Sequence, residues 1–176
     1  MNLSPKPQIL IIAGPTATGK TELSLELAKR LNGEIINIDS VQIYRHFNIG
    51  SAKLPVAEQQ GIPHHLIDIL DPNQEFNVAM YKNLADALVT DLISRGKTPI
   101  FVGGSNLYIK VLLHGLSPEM QSDTKLRDSL EREELDTLVC ELRALDPQVS
   151  KSIDLQNKRR VVRALESLRL SRYSVS

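Results

Sequence analysis

Residues 9–31 read ILIIAGPTATGKTELSLELAKRL. The apolar run Ile9 to Ala13 predicts a buried strand. It feeds Gly14-Pro15-Thr16-Ala17-Thr18-Gly19-Lys20-Thr21, which fits the pattern G-x-x-x-x-G-K-[ST]. Leu23, Leu27 and Leu31 follow at i, i+4 and i+8, the spacing of one helical face. Strand, glycine loop and helix thus come in the order a phosphate cradle needs. Glycines let the backbone wrap closely, so that N–H groups aim at phosphate oxygens. The helix N-terminus adds partial positive charge. Lys20 adds a full one, and the Thr21 hydroxyl can hold Mg²⁺. Gly14 to Thr21 are therefore the candidate diphosphate- or nucleotide-binding residues. The loop does not choose between ATP and another diphosphate, because a diphosphate can also be a leaving group.

Working outward, Glu34 to Ile38 (EIINI) predicts a second buried strand, ending at Asp39-Ser40. HHLIDIL, from His64 to Leu70, predicts a third, stopped by Asp71-Pro72. From Val78 to Arg95, Tyr81, Leu84, Ala85, Leu88, Val89 and Leu92 recur with the period of an amphipathic helix. Pro99 to Val102 predicts a fourth strand. Gly103-Gly104-Ser105 then opens a helix with Leu107, Tyr108, Val111 and Leu112 inward. Strands alternating with helices imply a parallel α/β sheet. After Gly115 no strand-like run remains. Asp123–Glu134 and Glu134–Ala144 predict helices, stopped near Asp146-Pro147, and a last helix runs from about Asn157 to Leu170. We therefore divide the chain into a core at 1–115, a helical insertion at 116–156 and a basic helix at 157–176 leading back toward the core. Four strands are fewer than the five or six of an average sheet, so we expect a chain short of its C-terminal part.

Composition narrows the class. The chain has 176 residues, enough for one domain with an excursion. No apolar run approaches a membrane span. The N-terminal MNLSPKPQ lacks the apolar core of a signal peptide. The single cysteine, Cys140, excludes a disulfide framework and is expected to pack on a helix face. A cytoplasmic protein without a membrane partner is the expectation. Net charge is zero, with 21 basic and 21 acidic residues, which argues against a generic nucleic-acid binder. The distribution is uneven. Leu116 to Ser150 carries nine acids and four bases, a net −5, and Lys151 to Arg172 carries seven bases and two acids, a net +5. Such a stretch can mark a phosphate-facing surface or a solvated helix face.

Three further groups could carry chemistry. Asp39 ends a strand at the edge where open α/β sheets bind ligands. It could be a general base, a Mg²⁺ ligand or an N-cap for a short helix at 41–44. Ser105 follows two glycines at the same edge and could meet an anion, orient a nucleophile or cap the helix. Arg159, Arg160 and Arg163 share one side of the last helix and could grip phosphates. His64-His65 is a poor metal site, since neighbours on a strand face opposite ways.

These pieces resemble the tRNA dimethylallyltransferases (tRNA isopentenyltransferases), P-loop prenyltransferases that modify the adenosine beside the anticodon. The resemblance rests on GPTATGKT at 14–21, IDSVQIYR at 38–45, NIGSAK at 48–53, PHHLIDI at 63–69, VGGSNLY at 102–108 and RRVVRALE at 159–166. It implies a P-loop NTPase-like core with a helical insertion. It implies transfer of a dimethylallyl group from dimethylallyl diphosphate to N6 of adenosine 37, with Asp39 taking the proton and Mg²⁺ on Thr21. It places tRNA contacts on Asp39, Ser40, Val41, Gln42, Ser105, Arg127, Arg159, Arg160, Val161, Val162 and Arg163, against the anticodon stem-loop. The family usually has Thr where Ser105 stands, and serine keeps the hydroxyl. Its members run to about 300 residues, so this chain is expected to act as a monomer that binds diphosphate with little tRNA prenylation. The competing readings are an adenylate isopentenyltransferase, a small-molecule or nucleotide kinase, and a phosphate-binding module without catalysis.

Overall fold

The computed structural model describes residues 8–116 and 123–173. Two compact units divide near Gly115, Met1–Gly115 and Leu116–Ser176.

In the first unit, four parallel strands lie in the order β1 (Leu10–Ala13), β4 (Thr98–Gly103), β2 (Gly33–Ile38), β3 (His64–His65). Side chains alternate across a strand, and each face of this sheet buries a different set. Ile36, Ile38 and Phe101 meet Tyr81, Ala85 and Leu92 of α2 (Val78–Ser94) and Tyr108 of α3 (Asn106–His114). Ile12, Ile35 and Ile100 meet Leu25 and Ala28 of α1 (Lys20–Arg30). The parallel α/β architecture is the predicted one.

The details depart from the pattern in places. Helix α1 turns Ser24, Leu25 and Ala28 to the sheet, while Leu23 and Leu31 are exposed. Small residues let this helix come close, and of the leucine row at the same period only Leu27 packs, partly buried, against this core. Leu107, expected inward, is also exposed, while Tyr108 and Val111 are buried. HHLIDIL pairs with β2 only at His64 and His65, because Leu66 and Asp68 take positive φ (59° and 55°) and break the extended run; beyond them Leu70 makes an isolated bridge to Tyr44. Residues 40–43 form a turn rather than a helix.

The N-terminal end of the sheet is pinned by a buried ion network. Glu34 accepts from Arg95 through both oxygens (2.8 and 3.1 Å) and lies 2.7 Å from His65 Nε2. The Arg95 hydrogen bonds, joined by His65 and opposed by burial, pull the Glu34 carboxyl from 4.5 down to about 2. A depressed carboxyl contributes stability above its unfolded pKa and loses it as pH falls through the folded one. The window here runs from about pH 5 to pH 2, and the shift corresponds to roughly 3 kcal/mol. Glu34→Gln is therefore expected to flatten the acid side of stability against pH, read as urea midpoints from pH 7 to pH 2. A parallel offset with an unchanged acid slope would show that Glu34 does not carry it.

The second unit is helical: α4 (Thr124–Glu131), α5 (Leu135–Leu145), α6 (Pro147–Ser152) and α7 (Lys158–Tyr173). Asp146-Pro147 ends α5 as expected, but it also starts α6. Asp146 Oδ1 accepts from the Gln148 and Val149 N–H groups, and proline fills the first helical position. Leu130, Leu138, Leu142, Val161, Val162 and Leu165 form the core. The basic helix, treated above as a separate segment, groups with α4 and α5 because its apolar side closes this core. Cys140, expected to pack, is exposed, since Leu138 and Leu142 take the inward face of α5. No described helix is long and apolar enough to cross a membrane.

Candidate active site

The glycine loop leaves β1 and enters α1 through Gly19 in the left-handed region (φ 80°), where a side chain would be strained. Thr18 Oγ1 donates to the Pro15 carbonyl at 2.8 Å, and Lys20 Nζ donates to the same carbonyl. The loop is thus closed on itself, with its lysine folded over the turn.

Two other strand ends meet it. Gly14 N–H donates to the Gly103 carbonyl (3.4 Å), and Ser105 N–H donates to the Ile38 carbonyl (3.1 Å). A Cβ on Gly103 would sit 2.4 Å from the Ile38 oxygen, so only glycine lets β4 pass so close to β2 here. These contacts bring the ends of β1, β2 and β4 to one cavity of about 940 Å³. All eight residues from Gly14 to Thr21 line it, with Asp39, Ser40, Val41, Gln42 and Ser105. The core residues singled out on sequence are therefore one site.

Asp39 divides its carboxylate between two tasks. Its Oδ1 accepts from the Val41 and Gln42 N–H groups (2.8 and 3.2 Å), the capping pattern on a turn. Its other oxygen has no partner among the described residues, and no described buried polar side-chain atom lacks one. That oxygen is therefore accessible to solvent, on a residue that lines the cavity. Tyr108 lies close by. Burial, then Tyr44 and Asp39, push its phenol up to about 12, so it stays protonated. Ser105 makes no side-chain cap bond to α3, which removes its capping role and leaves its hydroxyl to the cavity.

Sequence reasoning missed Asn37 as a site residue, although a polar residue inside an apolar strand was the visible signal. Asn37 is buried, lines the cavity, and donates through Nδ2 to the Asp39 and Leu66 carbonyls (3.0 and 3.1 Å). His64 lines it too. Its Nδ1 sits 2.8 Å from the Ile62 carbonyl, and burial holds its pKa below the usual value, so the ring is neutral at pH 7.

Among the described residues there is no cluster of three or more His, Cys, Asp or Glu able to hold a metal. Thr21, in the first turn of α1, lines the cavity beside the glycine loop. A single hydroxyl there fits Mg²⁺ carried by a diphosphate, since Mg²⁺ takes few protein ligands and completes its shell with phosphate and water.

In the second unit, Arg159 and Arg160 are exposed and border a cavity of about 610 Å³ together with Arg163. Val161 and Val162, placed with them on the RNA-contacting stretch, are buried, at 0% and 2% exposure. Their side chains cannot reach RNA, because neighbours in a helix point to different faces. Arg127 and Arg163 both bind Glu166, whose side chain is fully buried. They are structural as well as basic.

The chain is 47% identical over 169 residues to the tRNA dimethylallyltransferase of Staphylococcus aureus, covering 92% of this chain and 54% of that protein. It is 48% identical over 160 residues to the tRNA dimethylallyltransferase of Leuconostoc mesenteroides, covering 90% and 54%. Among solved structures, it superposes on the full-length tRNA isopentenylpyrophosphate transferase of Bacillus halodurans with TM-score 0.63 and 43% identity, over 94% of this chain and 56% of that one. It superposes on a eukaryotic dimethylallyltransferase acting on tRNA with TM-score 0.79 and 32% identity, over 97% and 44%. The chain spans about half the length of the curated relatives it matches. The model of the IPP transferase family matches residues 42–176, and this chain belongs to that family.

Proposed function

We propose that this chain carries the donor site and reacting groups of a tRNA dimethylallyltransferase. Dimethylallyl diphosphate lays its diphosphate in the Gly14–Thr21 loop. N6 of the adenosine beside the anticodon, position 37, attacks the allylic carbon. The carbon–oxygen bond to diphosphate breaks, diphosphate leaves, and the N6 proton passes to the open oxygen of Asp39. The observation that carries this reading is that Asp39 lines the same cavity as the diphosphate loop and keeps one oxygen free of the turn its twin caps.

Each group has a physical task. Lys20 and the loop N–H groups stabilise charge growing on the leaving diphosphate. Thr21 would hold Mg²⁺, which supplies further neutralisation of that charge when bound. Ser105 offers a hydroxyl for orienting the adenine, which must leave its stack for N6 to be reached. Arg159 and Arg160 supply phosphate contacts that position the RNA. A kinase would share the loop, but the family relatives favour prenyl transfer.

Competition binding tests the donor. Dimethylallyl diphosphate should bind this chain in the presence of Mg²⁺, be displaced by inorganic diphosphate, and resist an equal concentration of ATP. Tight ATP binding that diphosphate does not disturb would sink the reading and return the site to a kinase.

A further inference from the structure

Ile67 sits between two residues in a conformation that L-residues avoid. Leu66 and Asp68 have φ 59° and 55°, the left-handed region in which a side chain is strained. The strain is held from both sides. The Leu66 side chain is buried in the core beneath α2 and α3, and its carbonyl accepts from Asn37 Nδ2 at 3.1 Å. Asp68 N–H donates to the Gln42 carbonyl at 3.2 Å. Its Oδ1 accepts from Lys53 Nζ at 2.6 Å, and its carbonyl accepts from Arg45 Nε at 3.0 Å. Lys53 is itself buried along its side chain, at 5% exposure, and also donates to the Tyr44 carbonyl. Backbone held off its preferred basins by this many partners marks a position whose side chain is being placed.

Ile67 is placed in the cavity wall, with Leu54, Ile35 and Val102 as its apolar companions there. Among the polar residues of that wall, His64 is neutral because burial lowers its pKa. The cavity therefore has two characters. The Gly14–Thr21 loop is built for an anion, and Ile67, its apolar companions and His64 offer apolar carbon and an uncharged ring. A bare diphosphate would use only the first. At about 940 Å³ the cavity could hold far more than five carbons, so its volume alone does not select a short chain. Selection of a short chain would have to come from the position of the wall.

Resting on the donor reading above, we propose that Ile67, fixed by the strained Leu66-Ile67-Asp68 backbone, sets the length of the apolar chain this cavity accepts on a diphosphate. Removing its branched side chain deepens the wall, and enlarging it shortens the space.

The test is the affinity of the chain, with Mg²⁺, for three probes: inorganic diphosphate, dimethylallyl diphosphate and ten-carbon geranyl diphosphate. Wild type should prefer the five-carbon over the ten-carbon ester. Ile67→Ala should reduce that preference about tenfold, and Ile67→Phe should weaken dimethylallyl diphosphate about tenfold, the scale on which an apolar pocket discriminates. Inorganic diphosphate should bind alike in all. Ile67→Val, one methyl smaller, should move the ratio in the direction of Ile67→Ala by less and guards against collapse of the loop. An unchanged chain-length ratio in variants that keep diphosphate affinity overturns the proposal. So does loss of diphosphate affinity in all variants, since Ile67 would then prop the anion end. Wild type that binds the five-carbon ester no better than diphosphate instead overturns the donor reading, and this one with it.

Discussion

Asp39→Asn is expected to lower prenyl transfer by roughly 10²–10⁴-fold, the range lost with a general base, while leaving donor affinity within about twofold (on the order of 0.4 kcal/mol). Asparagine keeps an oxygen for the Val41 and Gln42 N–H groups, so the turn after β2 survives. What it removes is the second carboxylate oxygen, which it replaces by an amide that cannot take a proton from N6. Asp39→Ala removes both functions. The difference in folding stability between the two variants therefore reports the capping bonds, about 1 kcal/mol. The measurement is single-turnover transfer of label to an anticodon stem-loop RNA beside donor binding with and without Mg²⁺. If Asp39→Asn abolishes Mg²⁺-dependent donor binding instead, Asp39 is a metal ligand, and the proton goes elsewhere.

The phosphate loop was legible because its information is local. Two glycines, a lysine and a threonine at fixed spacing specify the turn and point to a di- or triphosphate without choosing between them, and the flanking apolar runs specify strand and helix. Asp39 and Ser105 were legible by position, since ends of parallel strands converge on one edge. What failed was whatever depends on which face a neighbour needs. The leucine row of α1 has the same period as Ser24, Leu25 and Ala28, and only the approach of the sheet decides between them. The end of β3 was hidden because its breakers are Leu66 and Asp68, not glycines, and the hydrogen bonds that hold them come from Asn37 and Lys53, 29 and 15 residues away. In RRVVR the basic and apolar residues share a motif but not a surface. The valines go to the core and Arg159 and Arg160 to solvent.

Arg127 and Arg163 show the same limit energetically. Glu166 is fully buried, and its oxygens accept from Arg127 (3.1 and 3.2 Å), Arg163 Nη1 (2.7 Å) and the Asp123 N–H (2.8 Å). Burial raises its pKa, but these hydrogen bonds, that of Arg163 first, outweigh it and hold the carboxyl below the usual range. Replacing both arginines by methionine leaves a buried carboxylate with one backbone partner. That double variant is expected to lose about 3–5 kcal/mol, the cost of stranding a buried charge. Adding Glu166→Met to it should restore most of the loss, because a well-packed apolar triad can stand in for a buried ionic one. Urea unfolding of wild type, double and triple variants decides. A triple variant no more stable than the double would show that the arginines act through packing rather than through the carboxylate. The outcome also fixes how RNA binding must be tested. Loss of binding in an Arg127 or Arg163 variant mixes contact with unfolding, whereas the exposed Arg159 and Arg160 report phosphate contact without disturbing the Glu166 cluster.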